Sequence, residues 1–265
     1  MSDSDLIVGE DGGVLTLTVN RPEKFNPLSR TVLEGIRESI ATRTPRAELK
    51  CVVIRGTGSR YFAAGGDLRD LADVRTEAQT RAMVEECRGA LDAVRECPVP
   101  VVAVLNGDAI GGGAELALAC DFRLMRDGAS IGFIHGRLNI TAAWGGGTDL
   151  YALVGRARAL RMTTRAEAVP AQLALQWGLA DAVFAEAEQD SALADFVAPI
   201  LARTPEVLRA CKAQAIAARR GLGWDERRAI ELEGLVKTWV HQDHWAAVDR
   251  ILSPDKAKRP TRPAG

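Results

Sequence analysis

Twice in this chain a run of aliphatic residues gives way to a glycine cluster. Lys50–Arg55 (KCVVIR) precedes Tyr61–Leu68 (YFAAGGDL), and Val101–Leu105 (VVAVL) precedes Ile110–Leu116 (IGGGAEL). Short runs that are apolar at nearly every position read as buried strands. The second glycine cluster also opens a helix, Ala114–Cys120. Buried strands that lead through glycine loops toward helices constrain the chain to an α/β architecture.

The remaining elements fit that frame. Gly13–Val19 (GVLTLTV) reads as a strand, and Asn20–Leu28 as a loop broken by two prolines. Ser29 is placed to cap a helix running to about Arg43. Gly56–Leu68 reads as a glycine-rich loop. Thr76 and Gln79 form a capping-box pattern at the head of a long helix that Pro98 and Pro100 end. Asn106–Gly107 is a turn, and Phe122–Met125, Ser130–Phe133 and Asp181–Phe184 are short strands. Thr148–Val154, Arg156–Met162 and Pro170–Trp177 read as helices, the last stopped by Gly178. From Glu188 to Leu252 the pattern is helical, with breaks at Pro205 and Gly221–Gly223, and Ser253–Gly265 reads as a loose tail. The expected organisation is a core over residues 1–190 and a helical region over 191–265.

Charge and cysteine content exclude several classes. A formal net charge of −1 provides no electrostatic grip on nucleic acid or an acidic membrane. Five cysteines, with no C-x-x-C pair, argue against a disulfide framework or a zinc site and suit small core residues. The acidic start of the chain does not read as a signal peptide, and no apolar stretch approaches the roughly 20 residues needed to span a bilayer. The expected location is the cytoplasm.

The glycine loops suggest the chemistry. Glycine lets backbone approach a ligand closely, and a helix N-terminus offers unpaired N–H donors. Two such donors converging on one point would stabilise an oxyanion. Packing or phosphate binding is the alternative. Neither loop fits G-x-x-x-x-G-K-[ST], and the absence of G-x-S-x-G disfavours a serine hydrolase.

Three segments together resemble the crotonase (enoyl-CoA hydratase/isomerase) superfamily. NRPEKFNPLS at Asn20–Ser29 resembles N-R-P-x-x-x-N-A-L-S, FAAGGDL at Phe62–Leu68 resembles F-x-A-G-x-D-L, and IGGGAELALACD at Ile110–Asp121 resembles G-G-G-x-E-L-A-x-x-C-D. The similarity runs from about Asp5 to Leu252. It implies a spiral of ββα units with a C-terminal α-helical trimerisation region, acting on an acyl-CoA thioester as a homotrimer or hexamer. CoA is then part of the substrate, and no metal or other cofactor is implied. By position, Gly66 and Gly112 would give two N–H groups to the thioester oxygen. Ala64, Asp67 and Leu68 fall in the stretch lining the CoA site. Lys24 and Phe25 fall in the loop beside the CoA nucleotide and pantetheine, where Lys24 either meets a phosphate or is a solvated surface lysine. Glu115 matches the first of two glutamates that activate water in hydratases; otherwise it is a structural residue near a helix N-terminus.

The second glutamate is missing. The family's F-G-x-P-E-x-x-x-G segment corresponds to Ile131–Asn139 (IGFIHGRLN), and His135 stands at the glutamate position. Histidine can still transfer a proton near neutral pH. With GGGAEL, CDFRLM, FIH and WGG, the chain looks most like the ethylmalonyl-CoA/methylmalonyl-CoA decarboxylase branch. The expectation is therefore a lyase that decarboxylates a small alkylmalonyl-CoA through an enolate, with Glu115 or His135 protonating C2. Arg137 either attracts the departing carboxylate or is a surface arginine. Trp144 either walls the acyl pocket or is an ordinary core aromatic. The rivals are a hydratase or isomerase using His135 and a non-catalytic CoA-binding protein.

Overall fold

The computed structural model describes residues 4–253. The expected tail, apart from Ser253 itself, lies outside them. Two compact units divide the described residues into 4–202 and 203–253.

In the first unit, β1 (Leu6–Asp11) and β2 (Val14–Val19) form an antiparallel hairpin around Gly12–Gly13, followed by helix α1 (Arg30–Arg43). The chain then repeats one construction three times. Strands β3 (Cys51–Gly56) and β4 (Tyr61–Ala63) lead to α2 (Glu77–Arg95). Strands β5 (Val101–Leu105) and β6 (Asp108–Ile110) lead to α3 (Gly112–Ala119), and β7 (Phe122–Arg126) and β8 (Ser130–Gly132) lead to α4 (Gly146–Arg165). The first strand of each pair joins a six-stranded sheet and the second a four-stranded sheet. With β9 (Ala168–Pro170) and β10 (Ala182–Phe184), the sheet orders are β1-β2-β3-β5-β7-β10 and β4-β6-β8-β9. This is the expected spiral of ββα units.

Burial explains why β3 and β5 read as continuous apolar runs. Leu15, Leu17, Val52, Ile54, Val101 and Ala103 face a core shared with α1, α2 and α3. Cys51, Val53, Val102 and Val104 face the opposite side, where Val197 and Phe196 of α6 (Gln189–Leu201) cover the sheet. Parallel strands covered on both faces lose polar alternation. The first unit accordingly includes α6 and closes at residue 202.

The expected caps are present. Ser29 Oγ accepts from Val32 N, and Thr76 with Gln79 forms a full capping box. Gly155, at φ 76°, breaks α4 between the two helices expected on either side. Gly178 ends α5 (Ala171–Trp177) in the left-handed region. Four strands depart from expectation: β1 and β4 lie in stretches read as terminus or loop, and β6 and β9 in stretches assigned no strand, Pro170 having been read as a helix start. The second unit contains α7 (Pro205–Arg219), α8 (Trp224–Trp239) and α9 (Gln242–Leu252), with the breaks at Pro205 and Gly221–Gly223. Among the described residues, no helix is long and apolar enough to cross a membrane.

Candidate active site

The two glycine loops meet at one cavity of about 880 Å³, bordered by Gly65, Gly66, Gly111, Gly112, Glu115 and His135. Their backbones nearly touch: a Cβ on Gly65 would lie 3.5 Å from Gly112 N. Gly66 forms a parallel bridge with Leu28, in which Leu28 N donates to Gly65 O and Asp67 N donates to Leu28 O. That pattern turns the N–H of Gly66 itself away from Leu28. Gly112 is the first residue of α3, and its N-cap Gly111 has no side chain to cap the turn. Its N–H is one of the donors a helix start leaves unpaired.

A single ring lies against both glycines. A Cβ on Gly66 would stand 3.1 Å from the Trp144 indole, and one on Gly112 would stand 2.3 Å from it. The ring therefore requires glycine at 112. Trp144 is buried and borders the cavity, so it is a pocket wall rather than a remote core aromatic.

Glu115, 1% exposed, sits in the first turn of α3. Its Oε2 accepts from Trp144 N at 2.9 Å and Gly146 N at 3.0 Å. Its Oε1 lies 3.2 Å from His135 Nε2. His135 comes from the short 3-10 helix Ile134–Leu138 after β8. Its other nitrogen, Nδ1, is buried without a hydrogen-bond partner. The two residues thus form one proton-sharing pair at the cavity wall, Glu115 buried and His135 partly so.

The other expected residues separate. Ala64 and Leu68 border the cavity, with Leu68 64% exposed, as does Arg137, whose Nε donates to Ala166 O at 3.0 Å. Asp67 does not border it. Its Oδ2 accepts from Arg21 Nη1 at 2.8 Å, and its Oδ1 accepts from Arg69 N at 3.1 Å and Asp70 N at 3.5 Å. Burial pushes the Asp67 carboxyl up, but the bonds from Arg21, Arg69 and Asp70 outweigh it and hold the group below the ordinary carboxylate value. Lys24 and Phe25 also lie outside this cavity. Phe25 stacks on Tyr61 with centroids 5.1 Å apart, and its carbonyl accepts from Ala64 N at 3.1 Å. That bond ties the proline loop to the first glycine loop.

Sequence reasoning missed the residues that hold these loops. Asn26, in the left-handed region at φ 53°, and Asn106 both donate to Tyr61 O, at 2.8 and 3.2 Å. Both are almost fully buried; the signal for Asn106 was a turn-type asparagine beside an apolar strand, and for Asn26 an asparagine in the proline loop. Arg95 and Asp149 brace the Trp144 turn, and nothing in their local sequence marked them. Four of the five cysteines are buried. Burial pushes Cys51 and Cys87 up to about 12, which fits core thiols rather than nucleophiles. In the second unit Glu206, His241 and Asp243 bring ligand-type atoms within 4.8 Å of one another. His241 Nδ1 there accepts from Asp243 N at 3.4 Å as the N-cap of α9, so that atom serves the helix start.

Known proteins share this architecture. A family model described as enoyl-CoA hydratase/isomerase matches residues 9–250. The protein YngF of Bacillus subtilis is 31% identical over 88% of this chain and 88% of its own. The ethylmalonyl-CoA decarboxylase of Xenopus laevis is 30% identical over 79% of this chain and 70% of its own. The crystal structure of an enoyl-CoA hydratase from Bacillus anthracis superposes with a TM-score of 0.87 at 27% identity, covering 97% of this chain and 98% of that one.

Proposed function

This chain belongs to the enoyl-CoA hydratase/isomerase family, and from that premise we propose that it is a CoA-thioester lyase that decarboxylates a small alkylmalonyl-CoA. One observation carries the reading. The acid–base apparatus is a single carboxylate paired with an imidazole, Glu115 Oε1 to His135 Nε2 at 3.2 Å, and not two carboxylates. Hydration needs a group to activate water and a second to protonate carbon. Decarboxylation needs only a proton source after CO₂ has left.

The proposed steps follow from that. The C2–carboxylate bond breaks, and its electron pair moves into the C1–C2 bond as the thioester oxygen gains negative charge. The N–H groups of Gly66 and Gly112 stabilise that oxygen, an effect worth about 10²–10³-fold per donor in comparable sites. CO₂ departs, and the Glu115–His135 pair delivers one proton to C2. The pair regains its proton from solvent. Trp144 fixes the acyl group against the two glycines and excludes water. Arg137, oriented by Ala166 O, attracts the substrate carboxylate. Lys24 and Phe25 lie on the loop tied to Ala64 and would meet the CoA moiety beyond the cavity.

Identity to ethylmalonyl-CoA decarboxylases over most of the chain supports this reading. Hydration or isomerisation with His135 in place of a glutamate is the rival. Incubation with ethylmalonyl-CoA, methylmalonyl-CoA and crotonyl-CoA separates the two. The expected result is CO₂ release from a malonyl thioester with negligible hydration of crotonyl-CoA; rapid loss of the crotonyl chromophore overturns it. If Glu115→Gln and His135→Ala left every activity intact, a non-catalytic CoA-binding role would replace both. The same reading makes the chain a trimer or hexamer. Exposed Leu232, Leu235, Val236 and Trp239 on α8 support that, and light scattering on the eluted protein tests it.

A further inference from the structure

Three consecutive peptides, from Ala143 to Gly146, stand between α2 and Glu115. Two of their carbonyls turn to arginines of α2 and the third starts α4. Ala143 O accepts from Arg88 Nη2 at 2.8 Å, Trp144 O from Arg95 Nη2 at 3.1 Å, and Gly145 O from Asp149 N at 3.2 Å. Two of their N–H groups, those of Trp144 and Gly146, turn the other way and hold Glu115 Oε2. Arg88 and Arg95 are seven residues apart on α2 and so lie on one face.

Arg95 is the buried member, 8% exposed. Besides Trp144 O, it reaches Asp149 Oδ2 at 2.9 Å and Asp92 Oδ1 at 2.7 Å. Its guanidinium packs against Gly145, which has φ 94°, and a Cβ there would stand 2.7 Å from Arg95 Nη2. Asp149 is 7% exposed. Neither Arg95 nor Asp149 borders the cavity. A buried ion pair is a weak source of net stability, but it can fix a conformation.

We infer that Arg95, braced by Asp149, is a positioning residue: it sets the Trp144–Gly146 turn so that Glu115 presents Oε1 to His135. Fixing Oε2 with two N–H groups leaves the carboxylate one free oxygen in one direction. The same turn seats the Trp144 ring against Gly66 and Gly112. Releasing Trp144 O would let the proton-sharing pair and the pocket wall drift together. The catalytic consequence, though not the geometry, rests on the proposed role of the pair.

The test therefore has a readout independent of turnover. The chain has three histidines, so ¹⁵N-resolved imidazole signals are few, and His135→Ala assigns those of His135. Arg95→Lys keeps the charge but not three directed N–H bonds. It should move the His135 Nε2 and Nδ1 signals toward those of an imidazole no longer bonded to Glu115. Asp149→Asn, which leaves the guanidinium in place, should move them the same way by less. In turnover, Arg95→Lys should lower kcat about 10- to 100-fold with KM within about 3-fold, as expected for misplacement of a catalytic group. In a Glu115→Gln background the same change should cost clearly less, because the part of the loss that acts through Glu115 is already gone. Equal losses in the two backgrounds overturn the inference. So does an unchanged His135 spectrum in the variants, Asp149→Asn serving alone if Arg95→Lys does not fold. A shifted spectrum in a protein inactive toward every malonyl thioester leaves the inference standing and removes the functional reading instead.

Discussion

The two glycine loops share a plan and use their carboxylates in opposite ways. Asp67 follows Gly66 directly on an extended segment bridged to Leu28, and it turns away from the cavity to Arg21. Glu115 comes three residues after Gly112, one turn into a buried helix, and it borders the cavity beside His135. What the loops have in common is backbone: one glycine each against the same indole ring, each with an N–H that the proposed mechanism turns to the thioester oxygen. A glycine-plus-acid motif thus does not reveal the acid's role; the element that carries the acid decides it.

The largest expected effect tests the shared part. Gly112→Pro removes the N–H itself and should lower kcat by about 10²–10³-fold. A wild-type rate in a folded variant, checked by circular dichroism, would sink the assignment of that donor. Next come the side chains on which the loops differ. Glu115→Gln and His135→Ala should each cost about 10²-fold in turnover. Asp67→Asn should leave kcat within about 3-fold. Equal losses from Glu115→Gln and Asp67→Asn would erase the distinction between the loops.

A smaller effect sharpens the comparison through Trp144. Alanine at either glycine keeps the N–H and adds only a methyl group. At 112 that methyl would lie 2.3 Å from the indole, and at 66 it would lie 3.1 Å away. The ring must move for Gly112→Ala, whereas a few tenths of an ångström suffice for Gly66→Ala. The expected outcome is a turnover loss of about 10-fold at 112 and less than about 3-fold at 66, with a Trp fluorescence change only at 112. The reverse order would mean that the ring is not pinned where it lies.

Much of this was legible in the sequence because it is local. Ser29, Thr76 and Gln79 cap their own helices, and the glycines mark their own loops. Strand β1 was not legible because it is an exposed edge strand whose residues show no buried alternation; only Gly12–Gly13, a hairpin-type pair, announced it. Strands β4, β6 and β9 are three residues long, but so are β8 and β10, which were read, so length alone did not hide them. Within the site, resemblance brought Glu115 and His135 together, but not the direction in which each faces. Arg95 pairs with Asp149 across 54 residues and Arg21 with Asp67 across 46, and no window of sequence spans either distance. The Arg21 partner of Asp67 was hidden for the same reason: the motif around Asp67 is local and its partner is not.

The Asp67–Arg21 pair therefore supplies the last test, with its effect on stability rather than on rate. Folding buries the carboxyl, which raises its pKa, but bonds from Arg21 and two N–H groups lower it further, and the net shift is downward. The unfolded chain consequently takes up a proton at higher pH than the folded one. The stabilisation from the ionised group is complete above the unfolded value, near pH 4, and is lost as pH falls through the lower folded value. Asp67→Asn removes that charge and leaves the buried Arg21 guanidinium without its closest partner. At pH 7 it should destabilise the fold by about 1–3 kcal/mol in urea unfolding. The gap between variant and wild type should narrow from about pH 5 downward, since only the wild type loses the contribution. A gap that stays constant with pH would mean that Asp67 acts through shape alone. A gap accompanied by a collapse in kcat would return this carboxylate to the site and make the two loops alike.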